Sequence, residues 1–219
     1  GFVRKHKDFI EGLINSVLDY QPQVIGFSVQ STSRFFSLAL AALFKQRQQN
    51  THIIFGGPLV FRNCYGPDIL KDYSFLDAIS FTEADDSFPE FLRYYEQHGK
   101  FKAIPGFAVR LNSGEILESQ DPPIVENLDL LAYADYSDFS FDKYTKKLIP
   151  ISTSRGCINR CSFCSESTHW RKYRRRSAQN IMDEMINKVE LIDISRKQRE
   201  KEKRSRKEKK KKTTQILNE

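Results

Sequence analysis

The sequence predicts an α/β fold in which a parallel sheet is covered by helices on both faces. In the first half of the chain, short apolar runs of strand length alternate with amphipathic helical patterns. Turn-forming residues separate these segments. Strand, helix and strand follow one another in this rhythm when each helix crosses over a face of a parallel sheet. With 219 residues, 39% of them hydrophobic, the chain can form a core, which excludes global disorder.

The predicted elements of the first half follow a regular order. Apolar residues at three- and four-residue spacing predict a first helix, which Pro22 closes. The next elements are strands over 24–29, 51–55 and 78–81, and helices over 35–46, near 68–72 and over 87–95. This order is that of a Rossmann-like (flavodoxin-like) domain, which we assign to residues 1–100.

The second half is less regular. Residues 107–111 and 115–117 are predicted to pair as a small hairpin, and residues 101–147 form a hairpin and linker region. Residues 148–152 are strand-like, and residues 178–195 show a helical pattern. We assign residues 148–195 to the beginning of a second domain.

The positive charge belongs to the C-terminal tail. Residues 196–219 hold 12 Lys or Arg against 4 Asp or Glu, whereas the whole chain has a net charge of +7. The tail is therefore predicted to be disordered and solvated, and the preceding part is nearly neutral. Charge thus gives no reason to expect a nucleic-acid partner. No apolar run reaches the ~18 residues of a membrane span, so no membrane partner is expected.

The strongest chemical signal is a C-x-x-x-C-x-x-C motif formed by Cys157, Cys161 and Cys164. Three thiolates on one loop can hold three irons of a cubane cluster and leave the fourth iron open. Two alternatives remain: a zinc site completed by Cys64 or His169, and buried thiols without a metal. Clustered thiols indicate a reducing compartment, so a cytoplasmic location is expected.

With Phe163 just before its last cysteine, this motif resembles that of the radical S-adenosylmethionine superfamily. The surrounding sequence resembles the subgroup that carries an N-terminal cobalamin-binding domain. The similar segments are residues 24–31, 55–58, 81–85, 128–136 and 165–180.

The resemblance implies the roles of the cluster loop. Cys157, Cys161 and Cys164 would ligate a 4Fe–4S cluster whose free iron binds S-adenosylmethionine, and Phe163 would lie near the adenine. An electron would then cleave S-adenosylmethionine to a 5′-deoxyadenosyl radical for methyl transfer or rearrangement. The implied partners are a reducing protein such as flavodoxin or ferredoxin and an unidentified small-molecule or peptide substrate.

The resemblance also implies that cobalamin lies over the carboxyl ends of the parallel strands. The residues expected there are Ser28, Ser31, Gly56, Gly57, Thr82 and Glu83. Each group has a structural alternative: a simple turn for the glycines and helix capping for the serines.

Three departures from the family are evident. The Asp-x-His-x-x-Gly cobalt-ligand motif and the Gly-Gly-Glu segment are absent, and Thr82-Glu83-Ala84-Asp85 replaces a Gly-Glu-rich turn. Because only 55 residues follow Cys164, the family's partial (β/α) barrel would be truncated after its start, and little or no turnover is expected. The absence of the Asp-x-His-x-x-Gly motif has two alternative explanations: many members of the subgroup lack it, or the first strand of the domain lies upstream of residue 1.

Parts of the sequence are also compatible with two other functions. One is a stand-alone cobalamin-binding or sensory module with a vestigial cluster loop. The other is nucleic-acid binding through the basic and aromatic residues 170–176 and the tail, which we do not expect because such charges are usually solvated.

Overall fold

The computed structural model describes residues 5–62, 64–137, 139, 144–145 and 148–189 of the chain. The first half contains α1 (Lys7–Leu18), β1 (Val24–Ser28), α2 (Arg34–Arg47), β2 (His52–Gly56), α3 (Asp68–Asp72), β3 (Ala78–Ser80) and α4 (Ser87–His98). The chain continues with β4 (Phe107–Arg110), β5 (Ile116–Glu118), β6 (Ser154–Arg155), α5 (Glu166–His169) and β7 (Arg174–Arg175). Residues 178–189 form a further helix, α6. Single 3-10 turns lie at Pro58–Val60 and Leu128–Leu130.

The main sheet has five strands in the order β1-β2-β3-β4-β5. Strands β1, β2 and β3 are parallel, as the sequence predicts, whereas β4 pairs antiparallel with β3 and β5 antiparallel with β4. The predicted hairpin therefore forms, but it continues the sheet. It does so because β4 satisfies the open backbone edge of β3, with Arg110 N–H donating to Asp77 O at 2.8 Å. The α/β class is confirmed, with a mixed rather than a purely parallel sheet.

Helices cover both faces of the sheet, because side chains alternate between its faces. On one face, Ile53, Phe55 and Ile79 pack with Ile10 and Ile14 of α1 and with apolar residues of α2 and α3. On the other face, the core is formed by Ile54, Ala78, Phe91, Ile104, Phe107 and Val109, and Phe91 of α4 stacks on Phe107.

The chain forms two compact units. The first comprises residues 1–125 and 156–172, so it contains both the sheet and the cysteine loop. The second comprises residues 126–155 and 173–219. Within its described part, β6 pairs antiparallel with β7, and Arg176 N–H donates to Thr153 O at 3.0 Å. The domain boundaries predicted from the sequence remain predictions.

The strand expected over residues 148–152 is wrong, because that segment is irregular. Its carbonyl groups accept hydrogen bonds from side chains: Pro150 O from the Tyr136 hydroxyl, and Ser152 O from the Arg176 guanidinium. An apolar run becomes a strand only when a neighbouring backbone segment pairs with its N–H and C=O groups. The predicted helix is confirmed over 178–189, whereas residues 190–195 and the tail 196–219 lie outside the described residues.

Candidate functional site

The carboxyl ends of the three parallel strands form an aligned edge. Ser28 pairs in register with Gly56, and a Cβ placed on Gly56 would stand 3.9 Å from the Cβ of Ser80. Two of the predicted cobalamin residues, Ser28 and Gly56, are therefore neighbours. Ser80 completes this row, although no motif in the sequence marks it.

Gly57 has a role within the fold itself. It has φ +91°, and a Cβ there would lie 2.8 Å from Val29 N and 3.0 Å from both Val29 O and Ser28 Oγ. Hydrogen bonds from Val29 N–H to Gly56 O (2.7 Å) and from Leu59 N–H to Val29 O (3.1 Å) hold this close approach. A tight turn thus explains Gly57, which is the alternative that the sequence left open for it.

The loop after β1 carries Ser31, which is exposed. Ser33 occupies the N-cap position of α2, but its hydroxyl bonds to Gln30 rather than to the first turn of the helix. Arg34 lies over the ring of Tyr65 at 4.0 Å and donates a hydrogen bond to the Tyr65 hydroxyl. This cationic side chain beside the carboxyl edge was also not singled out from the sequence, because an isolated Arg carries no motif.

Thr82 and the segment after the cysteine motif share one cavity of about 140 Å³. Its lining is formed by Phe61, Arg62, Cys64, Phe81, Thr82, Asp121, Ser165, His169 and Arg171. Arg62 bonds to Asp121 (2.8 Å) and Ser119 O (2.8 Å), so its charge is compensated. Arg171 donates to Pro122 O at 3.0 Å, which ties the segment after the cysteines to the loop after β5.

Among the residues that line the cavity, His169 has a shifted pKa. Burial lowers its pKa to about 4, and the negative charge of Glu83 offsets part of that shift. Its ring stacks on Phe61, and its Nδ1 is buried without a hydrogen-bond partner among the described residues. The predicted site residue Glu83 thus acts on the cavity through its charge.

The cysteine motif lies on a loop that begins at Gly156, whose φ is +83°. Cys157 and Cys161 are exposed, and Cys164 is half-buried. Asn159 N–H donates to Cys157 Sγ at 3.4 Å, and Cys164 N–H donates to Cys161 O at 3.1 Å. Among the residues that the structure describes, no three His, Cys, Asp or Glu side chains converge on a possible metal position.

The side chains at the candidate sites can be compared with the needs of the cofactors that the sequence predicts. Three free thiols on one short loop have the chemistry of cluster ligands, and a backbone N–H already donates to Cys157 Sγ. The carboxyl edge can accept a large ligand because Ser28 and Gly56, which pair there, have no large side chains. Phe163 is 90% exposed and therefore available to a ligand. Cys64, which the sequence offers as a further zinc ligand, is exposed.

The basic segment 170–176 is engaged within the protein. Trp170 Nε1 donates to Glu166 Oε2 at 2.9 Å, and Arg174 is only 4% exposed. Arg176 bonds to Ser152 O at 2.8 Å. The expectation that no nucleic acid is bound remains a prediction.

Known proteins with similar sequences are enzymes, although no family model matches the chain. An uncharacterized methyltransferase of Pyrococcus horikoshii is 24% identical over 187 residues, which are 80% of this chain and 40% of that protein. The anaerobic magnesium-protoporphyrin IX monomethyl ester cyclase of Synechocystis is 24% identical over 180 residues, 80% of this chain and 35% of the relative.

The fold of this chain is similar to that of solved structures. The cobalamin-dependent S-adenosylmethionine radical enzyme OxsB, with aqua-cobalamin and S-adenosylmethionine bound, matches 80% of this chain with a TM-score of 0.63 and 20% identity. The predicted family resemblance is confirmed. Apo OxsB matches with a TM-score of 0.66 and 21% identity over 83% of this chain. The chain spans about a quarter of this cobalamin-dependent radical enzyme and 40% or less of the two sequence relatives described above.

The described part of the chain holds no helix that combines the length and the apolar character needed to cross a bilayer.

Proposed function

We propose that this chain joins the cobalamin-binding sheet and the cluster loop of a cobalamin-dependent radical S-adenosylmethionine protein. The observation that carries the proposal is their shared compact unit: residues 156–172 belong to the same unit as the sheet. Ser165, which follows the last cysteine of the motif, lines one cavity with Thr82 of the carboxyl edge. Two cofactors that must act together need this proximity.

The cluster loop contributes ligands and their orientation. Cys157, Cys161 and Cys164 would hold a 4Fe–4S cluster, which when bound supplies the electron for reductive cleavage of S-adenosylmethionine. Gly156, at φ +83°, lets the backbone turn at the start of the loop. The exposed ring of Phe163 offers a stacking surface for the adenine.

The carboxyl edge contributes the cobalamin site. Ser28, Gly56 and Thr82 would contact the cofactor where the strands end, with Ser31 and Glu83 on the adjoining loops. Gly57 keeps the turn after β2 close to β1 and so shapes the edge without the need for direct contact. The activity of the whole protein would be radical methyl transfer or rearrangement, and the similarity to a methyltransferase of Pyrococcus horikoshii favours methyl transfer.

Anaerobic reconstitution with iron and sulfide tests the cluster. We expect about four iron atoms and about four sulfides per chain, with broad absorption near ~400 nm. Each of Cys157→Ala, Cys161→Ala and Cys164→Ala should lose this iron. Cys64→Ala is the matched control, because Cys64 is also an exposed free thiol but lies outside the motif. Zinc in place of iron, or iron retained after all three substitutions, would overturn this assignment.

Activity is tested separately from cofactor content. Reconstituted protein with S-adenosylmethionine and dithionite should release little or no 5′-deoxyadenosine, as the sequence predicts for this chain, and any release should require the three motif cysteines. Rapid turnover would overturn the expectation of little or no turnover, and equal release after loss of the three motif cysteines would contradict the role of the cluster.

A stand-alone cobalamin-binding module is the second candidate. It is favoured by the exposure of Cys157 and Cys161 and by the lack of converging metal ligands among the described residues. Protein that binds aquacobalamin but takes up no iron under reconstitution would select this function.

A further inference from the structure

The guanidinium group of Arg176 is hydrogen-bonded through all three of its nitrogens. The side chain is only 10% exposed, and its Nε donates to Asn180 Oδ1 at 2.6 Å. One terminal nitrogen donates to Ser152 O at 2.8 Å and also to the carboxylate of Glu184. The other terminal nitrogen donates to Asn180 O at 3.2 Å. Because the guanidinium is planar and rigid, these bonds together fix its orientation.

Arg176 connects α6 to the backbone that precedes the cysteine motif. Its own N–H donates to Thr153 O at 3.0 Å, so Arg176 holds the two consecutive carbonyls of Ser152 and Thr153. The next two residues form β6, and Cys157 follows two residues after the end of that strand. The bonds of Arg176 therefore hold the backbone that leads directly into the cysteine loop.

Strands β6 and β7 close this loop at its base. Arg155 pairs in register with Arg174, so the chain leaves the ladder at residue 156 and returns to it at residue 173. All three motif cysteines lie within the segment that the ladder closes. A ladder with only two residues on each strand is too short to be stable by itself. Arg176 follows β7 directly and extends the pairing through its bonds to residues 152 and 153.

Stability alone does not account for the ion pair between Arg176 and Glu184. Glu184 is 3% exposed, and the desolvation of such a buried pair can exceed its Coulombic gain. Apolar residues of similar volume often stabilise a fold as well as a buried ion pair does. What an arginine provides in addition is a set of donors in fixed directions. The arrangement therefore fits a role in orientation.

We propose that Arg176 is a positioning residue for the cluster, because it fixes residues 152–155 and through them the start of the cysteine loop. The inference rests on the proposed function and deepens it. Groups outside the ligand set orient metal ligands, and their loss typically weakens metal binding by about 10- to 100-fold. Arg176 acts through the backbone rather than on a sulfur atom, so we expect the lower end of this range.

Iron release from the reconstituted full chain tests the role. After anaerobic reconstitution, Arg176→Gln should release iron to the chelator bathophenanthroline about tenfold faster than the wild type. Arg176→Lys keeps the positive charge but lacks the planar fork, so its rate should be intermediate. Arg175→Gln is the matched control, because Arg175 is the preceding residue on β7 and is exposed. Its rate should equal that of the wild type.

Asp129→Ala separates positioning from general destabilisation of the same unit. The carboxylate of Asp129 accepts a hydrogen bond from Ser177 N–H at 2.9 Å, at the start of α6 rather than ahead of the cysteines. Asp129→Ala should therefore lower the thermal midpoint of unfolding without faster iron release. Equal acceleration of iron release in Asp129→Ala and Arg176→Gln would overturn the positioning role.

Electron paramagnetic resonance of the dithionite-reduced cluster gives a second readout, because it reports the geometry of the cluster rather than the stability of the fold. The g values should shift in Arg176→Gln and Arg176→Lys and stay unchanged in Arg175→Gln and Asp129→Ala. If Arg176→Gln does not fold, Arg176→Lys decides, and wild-type iron release with a wild-type spectrum overturns this inference alone. Wild-type protein that takes up no iron overturns the proposed cluster together with it.

Discussion

Gly57 approaches Val29 so closely that a Cβ on Gly57 would stand 2.8 Å from the Val29 backbone nitrogen. Gly57 also has φ +91° and ψ 176°, a backbone conformation that is essentially restricted to glycine. Gly57→Ala is therefore expected to lower the free energy of unfolding by about 2 kcal/mol or more. Urea denaturation followed by far-UV circular dichroism measures this change.

Gly56→Ala is the control for Gly57. Its added Cβ would meet only the Cβ of Ser80, at an ordinary 3.9 Å, so its cost should stay below about 1 kcal/mol. Equal losses in the two variants would contradict the close contact with Val29.

Asp77 links α2 and β2 at the amino-terminal end of the sheet. Lys45 Nζ lies 2.8 Å from its carboxylate, and Ile53 N–H donates to it at 2.7 Å. Burial raises the pKa of Asp77, but the nearby His52 ring and the hydrogen bonds from Lys45 and Ile53 outweigh burial, so the pKa lies below its usual value. Asp77→Asn should cost about 2 kcal/mol near pH 7.

The pH dependence of this contribution has a definite sign. A carboxyl with a lowered pKa stabilises the fold above its unfolded pKa of about 4, and that stability is lost as the pH falls toward the lower folded pKa. Wild-type protein should therefore lose stability below about pH 5 more steeply than Asp77→Asn. Asp68→Asn, which breaks an exposed pair with Lys71, should change stability little. Parallel pH profiles for the wild type and Asp77→Asn would be inconsistent with this role.

His169 should titrate far below an ordinary histidine. Because burial lowers its pKa to about 4, the side chain is neutral in the folded protein at neutral pH. In the unfolded chain it gains a proton below about pH 6.5, so its contribution to stability decreases as the pH falls from about 6.5 to 4. NMR titration of the C2 proton, assigned with His169→Phe, measures the pKa directly.

Glu83→Gln probes the electrostatic part of this shift. Glu83 partly offsets the effect of burial, so its neutralisation should lower the pKa of His169 further. A His169 pKa near 6.5 in the wild type would exclude the buried position, whatever the effect of Glu83→Gln.

Glu184 is the buried acid of the second unit. It is 3% exposed, forms an ion pair with Arg176 and lies 3.8 Å from Lys188, which is 4% exposed. Removing this carboxylate deprives the buried Lys188 and the partly buried Arg176 of their shared ion-pair partner. Glu184→Ala should thus destabilise α6 by about 3 kcal/mol, observed as faster hydrogen exchange over residues 178–189.

Asp183→Ala serves as its neighbour control. Asp183 is exposed and accepts a hydrogen bond from the Gln179 side chain, so its removal should change stability by less than about 0.5 kcal/mol. If exchange over α6 rises equally in both variants, the buried ion pair has no special role.

Local patterns predicted most of the elements of the first half within a few residues. The strand containing Ile53 and Phe55 and the helix beginning near Ser87 were predicted because periodicity is a short-range property of the sequence. The cysteine motif was likewise found from spacing alone. The strand expected over 148–152 was wrong because strands depend on partners that an apolar run does not specify.

The sequence alone predicted the α/β class, the parallel arrangement of β1, β2 and β3 and a loop with three clustered thiols, since each follows from local patterns and from the order of elements along the chain. Only the tertiary structure decided which distant residues meet. It placed β4 against β3, Asp77 beside Lys45 and His169 against Phe61. It also left Ser80 buried without a partner. These contacts join residues far apart in the chain, and their choice depends on the packing of the whole unit rather than on any local pattern.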